Sequence, residues 1–274
     1  MLTSIRSLAA ATALAGAAFV ATPAFAQDEE ADTSGFSVSG NAAIVTDYRF
    51  RGVGLSGGDP AIQGGIDIAH DSGFYVGTWG SSIDGGAYGS VELDLYGGYA
   101  ATVAPGVDFD IGLLYYMYPN GTPGVDLDYF EPYASISTTL GPVGATLGAA
   151  YAWEQDSLGG SDNLYVYTDF EVGIPNTPVT LSAHAGYTDG VLAPPLLTGL
   201  SLDDSGFDWS VGASATVLGG LSVGVSYVDT EGPSVDGFTD DTIVGTLSME
   251  FRSPTKSKGP LRFGGAGLFL CQRR

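Results

Sequence analysis

The sequence predicts an all-β fold, an antiparallel β-barrel of about twelve strands that crosses a membrane. Three observations predict it. From residue 36 to residue 251, apolar side chains recur at every second position, the period of a strand whose two faces meet different surroundings. Most of the alternating segments are about 9–12 residues long, the length a tilted strand needs to cross the hydrocarbon. Their connections alternate between short and long, as in a barrel with tight turns on one side of the membrane and loops on the other.

Residues 1–26 read as a cleavable export signal. Arg6 supplies the positive end, Leu8 to Val20 the apolar run, and Ala24-Phe25-Ala26 a small-x-small cleavage site before Gln27. The run is too short for a membrane anchor, and Asp28, Glu29 and Glu30 follow it. Residues 27–35 form an acidic segment ahead of the first strand. No later stretch offers about 18 consecutive apolar residues, so a spanning structure has to be a closed barrel. Cys271 is the only cysteine, which excludes a disulfide within the chain.

The barrel is expected over 36–251, with strands near 36–47, 60–69, 74–82, 90–101, 107–118, 127–140, 145–153, 164–172, 179–187, 207–217, 221–228 and 242–251. The clearest is the Val91–Tyr99 stretch: Val91, Leu93, Leu95 and Tyr99 share one face, Glu92, Asp94 and Tyr96 the other. Short connections such as His70-Asp71-Ser72-Gly73 and Gly141-Pro142-Val143-Gly144 carry turn residues. Longer acidic ones lie between them, expected on the extracellular side. A soluble jelly-roll sandwich also alternates polar and apolar residues, but its loops need not alternate in length and its strands are usually shorter. Aromatics at inferred strand ends suit an interfacial belt, among them Tyr48, Phe50, Trp79, Tyr115, Trp153 and Trp209, with Phe74, Tyr118, Tyr129 and Tyr133 counted likewise. The longest loop, Thr188–Gly206, contains an apolar, proline-bearing run from Val191 to Leu197. Folding into the mouth and standing as an exposed flap both suit it.

The last segment ends on Phe251 and looks like the terminal signature of outer-membrane barrels, which the barrel-assembly machinery reads. Residues 252–274 are basic, rich in glycine and proline, and lack the period. They are expected outside the barrel, as a periplasmic tail or a reading-frame artefact.

All 31 acidic residues lie between Gln27 and Phe251, where Arg49 and Arg51 are the only Lys or Arg. Such acidity excludes nucleic acid as a partner, because phosphate needs cations facing it. With apolar residues toward lipid, the alternate set faces the lumen. Asp47, Arg49 and Arg51 are expected to point inward along the first strand, with Tyr48 and Phe50 outward, and Asp67, Glu92, Asp94, Asp108, Asp110, Glu131, Asp169, Glu171 and Asp208 line the lumen with them. Two arginines among carboxylates either tie the lumen together or form a constriction whose charges screen solutes. Catalysis finds no support: His70 lies in a turn, His184 is read as an isolated lumen residue, and no nucleophile motif accompanies them. Asp203-Asp204 and Asp240-Asp241 lack diagnostic calcium-ligand spacing, and no metal or cofactor is expected. The glycine-rich segments precede no helix and so do not cradle phosphate.

The stretch TDYRFRGVGLSGGDPAIQGGIDIAHDSGFYVGTWGSS, Thr46 to Ser82, is followed by VELDLYGGY from Val91 to Tyr99. Its Asp47-Tyr48-Arg49-Phe50-Arg51-Gly52, Pro60-Ala61-Ile62-Gln63-Gly64 and Gly73-Phe74-Tyr75 runs resemble the TorF-family porins of proteobacteria. The likeness is strong over the first third of the chain and diffuse beyond it, and the tail after Phe251 departs from it. The resemblance implies a pore-like barrel in the outer membrane of a Gram-negative bacterium, among outer-membrane lipids. The expected function is passive passage of small hydrophilic solutes, with cations preferred through an acidic lumen. The alternative is a closed structural or adhesive barrel without transport.

Overall fold

A computed structural model describes residues 35–252. The export signal (1–26), nearly all of the acidic segment (27–35) and the tail from residue 253 lie outside the described residues.

The described residues form one closed antiparallel barrel of twelve strands. They are β1 (Phe36–Val45), β4 (Ala61–His70), β5 (Phe74–Ser82), β6 (Val91–Ala104), β7 (Val107–Met117), β8 (Tyr129–Leu140), β9 (Val143–Gln155), β10 (Ser161–Gly173), β11 (Val179–Gly190), β12 (Ser205–Leu218), β13 (Leu221–Thr230) and β14 (Thr242–Arg252). Two short strands, β2 (Arg49–Phe50) and β3 (Val53–Gly54), form a separate hairpin. Consecutive wall strands pair in order, and β1 closes the ring on β14. The only α-helix among the described residues is α1 (Pro194–Leu197), far too short to cross a membrane.

Each predicted strand is present; β9 to β13 run on toward the long loops, and β6, β9, β10 and β12 also toward the short turns. The short-turn extensions have a local reason: Pro105-Gly106, Gly141-Pro142 and Gly219-Gly220 turn the chain in two residues. Gly106, Gly141 and Gly219 take φ of +75°, +64° and +55°, which an L side chain resists. The first strand is shorter than expected. It ends at Val45 rather than residue 47, because the chain leaves the wall after Thr46.

The alternation places apolar side chains outside. Ile62 is 69% exposed, whereas its neighbour Ala61 is fully buried. Such a continuous apolar exterior is unfavourable in water and matches a hydrocarbon slab. Aromatics edge it near the long loops: Tyr115, Phe130 and Trp153 stack along neighbouring strands, with ring centroids 4.1 Å and 6.1 Å apart. The outward Tyr151 and Tyr227 hydroxyls donate to Asp162 and Asp241, 2.9 Å each. A ring against apolar surroundings with its hydroxyl on a loop carboxylate suits an interface. Phe251 faces outward, and its ring covers Gly40 on β1, its partner across the closing seam.

Candidate functional site

The connection between β1 and β4 folds into the barrel. Tyr48 N–H donates to Ser56 Oγ (2.8 Å), whose hydroxyl donates to Asp47 (2.9 Å), drawing the loop back on itself. The β2–β3 hairpin turns at Arg51-Gly52, both left-handed with φ of +50° and +80°. Glycine tolerates this conformation; arginine adopts it at a cost. Gly52 is also pressed against the wall: a Cβ there would sit 2.7 Å from the Cβ of Thr230.

Arg51 is the tip of that hairpin. Its Nη2 donates to Glu131 Oε2 on β8 at 2.6 Å, and both side chains are almost wholly buried. Its guanidinium carbon lies 4.2 Å from the Tyr165 ring centre on β10 and 4.6 Å from that of Phe50. Around the closed ring, β8 is reached from β1 through β4, β5, β6 and β7, and β10 through β14, β13, β12 and β11. Both therefore stand opposite the strand from which the loop comes.

Arg49 points the other way. It pairs with Asp47 and with Asp240 (2.9 Å), and also donates to the Asp240 carbonyl (2.8 Å). Gly54 N–H donates to the Phe238 carbonyl (2.7 Å). These bonds join the first long loop to the last. Asp240, a weak calcium candidate in the sequence, thus carries Arg49.

The wall facing this loop is acidic and rich in tyrosine. Glu92 accepts the Tyr48 hydroxyl (2.8 Å), Asp67 that of Tyr96, and Asp110 that of Tyr75 (2.6 Å). Asp94 is buried, and its Oδ1 lacks a hydrogen-bond partner. Asp108 lies lower, toward the short turns, and accepts from Thr102 (2.7 Å). His184 is not isolated. Its ring nitrogens face Asp169 (2.6 Å) and Asp208 (3.0 Å), and Nε2 lies 2.8 Å from the Tyr165 hydroxyl.

Four of the inner tyrosines share one arrangement. Tyr96, Tyr75, Tyr133 and Tyr167 pair directly across strands with Gly77, Gly98, Gly112 and Gly148. A Cβ on any of those glycines would run into the opposite ring. The rings therefore lie over the glycines, along the wall.

Several predicted residues are elsewhere than expected. Asp47, Arg49 and Arg51 do not continue a wall strand; they belong to the inward loop. Tyr48, Phe50 and Trp79 are not interfacial. Tyr48 is buried edge-on to Trp79, 5.5 Å between ring centres, and Phe50 packs on Tyr116. Trp79 shares the inward face of β5 with Tyr75, as Tyr129 and Tyr133 share that of β8. Tyr118 packs against the same inner clusters. Tyr115, Trp153 and Trp209 face outward. Among the lumen acids, Glu131, Asp169 and Asp208 carry the main contacts of Arg51 and His184, a role no local signal gave them.

The longest loop divides. Val191 and Leu192 pack on the inner tyrosine cluster, and Asn163 holds the Leu192 N–H (2.9 Å), while Leu200 and Leu202 stand exposed. The long-loop half of the bore is therefore closely packed. Toward the short turns, Ser37, Ser39, Thr102, Thr146 and Ser222 leave a small, polar and partly exposed interior.

An apolar exterior, a polar interior and complete closure define a transmembrane β-barrel of the outer-membrane type. The chain belongs to the family described as bacterial protein of unknown function (Gcw_chp), whose pattern matches residues 29–251. No curated protein matches the sequence. The fold resembles the NanC porin, at 10% identity and a TM-score of 0.50 over 79% of this chain and 98% of that one. It also resembles the KdgM porin, at 8% identity and a TM-score of 0.51 over 78% and 98%.

Proposed function

We propose that the protein is a porin-like channel in the outer membrane of a Gram-negative bacterium, passing small hydrophilic solutes and favouring cations. One observation carries the reading: the inner wall bears buried carboxylates at Asp67, Glu92, Asp94, Asp110, Glu131 and Asp208, while both buried guanidiniums come from the inward loop. Moving that loop exposes an acidic bore, and acidic walls favour cations. The loop carries the segment that resembles the TorF-family porins, and the NanC and KdgM likeness supports a conduit rather than a catalyst. The proposal includes removal of residues 1–26, delivery by the barrel-assembly machinery through the Phe251 end, and a tail outside the barrel.

Reversal potentials in planar bilayers under a salt gradient test the preference. Cation selectivity is expected, and anion selectivity would overturn it. A closed structural or adhesive barrel is the second reading, favoured by the complete burial of Glu131, Tyr116 and Asn163 at the long-loop end. Absence of both single-channel current and sugar-driven liposome swelling would decide for it.

A further inference from the structure

We propose that the pocket holding Arg51 is a guanidinium-binding site, and that solutes bearing a guanidinium group open the barrel by taking the place of Arg51. The opening step rests on the channel reading above; the site itself does not.

The wall contributes Glu131, Tyr116 and Tyr165. Glu131 Oε2 accepts both Arg51 Nη2 and the Tyr116 hydroxyl (3.1 Å), while the Tyr165 ring supports the guanidinium face. A carboxylate at the edge of a planar cation and an aromatic ring on its face are what guanidinium recognition requires. A compact inorganic cation uses only the carboxylate, and a primary ammonium cannot present the planar fork.

The present occupant fills this site incompletely. Arg51 makes one bond to Glu131 where a guanidinium can make two in parallel. Its Nε and Nη1 are buried without a hydrogen-bond partner, and so is Glu131 Oε1. Its backbone is held at φ +50°. A tether that fixes the approach leaves donor and acceptor atoms unmatched. A free guanidinium can rotate to satisfy both carboxylate oxygens and needs no strained backbone. Binding of solute and docking of the loop then exclude each other, which couples solute arrival to loop release.

The test uses ethylguanidinium titrated into the full-length barrel in detergent, read by calorimetry. Because a docked loop reduces apparent affinity by the fraction of open sites, Arg51→Ala is expected to bind at least about tenfold tighter than the wild type. Arg51→Ala combined with Glu131→Gln is expected to lose that gain. Arg51→Lys, which keeps the charge but neither the fork nor the flat stack, covers the case in which Arg51→Ala does not fold, and is also expected to bind tighter than wild type. Equal affinity in the wild type and the folded Arg51 variants, or an undiminished gain in the double variant, would overturn the proposal. Calorimetry needs no transport. The predicted affinity order in a barrel silent in bilayers supports the site and fails only the channel reading; a conducting barrel without that order fails only the site.

Discussion

Replacing Glu131 by leucine isolates what holds the inward loop in place. The substitution preserves bulk while removing the carboxylate that receives Arg51 Nη2 at 2.6 Å and the Tyr116 hydroxyl at 3.1 Å. Both partners of the ion pair are buried, so the guanidinium would be left with aromatic faces alone. Removing one member of a buried pair costs about 3–5 kcal/mol. The hydrogen-bond ladder of β8 does not depend on the Glu131 side chain, so the cost falls on the docked loop rather than the barrel. The docked-to-undocked ratio should fall by about two to three and a half powers of ten. Hydrogen exchange in residues 46–60 should accelerate accordingly, while β7, β8 and β9 keep their protection. Glu131→Gln, which retains one acceptor, should fall between. Unchanged exchange in a folded Glu131→Leu barrel would refute the assignment of Arg51 as the latch.

Other expectations follow from the wall and the seam. Gly148→Ala should displace the Tyr167 ring and cost about 0.5–1.5 kcal/mol of off-rotamer strain, read by urea unfolding from lipid vesicles. Gly144→Ala, whose nearest atom would be 3.8 Å away, should be near neutral in the same assay. Gly40→Ala should push against the Phe251 ring and weaken closure of β1 on β14. In a Phe251→Ala background the same change should lose most of its effect, a coupling measurable by a double-mutant cycle on the folded fraction.

The wall was legible because it is built from a local rule. A period of two, interrupted at regular distances by turn residues, gives strand number and approximate ends without knowing which strand meets which. The same rule gives side-chain parity: with Val76 outward, Trp79 three residues on has to point inward, as do Tyr129 and Tyr133 on either side of Phe130. Proximity to a strand end was a weaker guide to these aromatics than parity. For Tyr48 and Phe50, parity itself fails, because the chain leaves the wall after Thr46. The inward turn rests on contacts distant in sequence: Arg51 with Glu131, eighty residues on, and Arg49 with Asp240, 191 residues on. One local sign was present. Two arginines stand within one six-residue run of an otherwise acidic segment, and buried guanidiniums need carboxylates. Which carboxylates they find depends on closure and register. The tyrosine-over-glycine pairs are hidden for the same reason, since each ring and its glycine lie on different strands.

The loop that links β1 to β4 also acts on the barrel mechanically. At its root Arg49 clasps the last long loop, beside the seam where the first and last wall strands meet; at its tip Arg51 grips the opposite side. Three residues thus form a spoke across the rim. A ring of strands held only edge to edge can flatten into an oval by sharing small changes of angle among its joints, and a spoke resists that flattening along its own diameter. Withdrawing the tip would remove the brace along with the plug it forms, leaving a barrel more compliant at its long-loop rim.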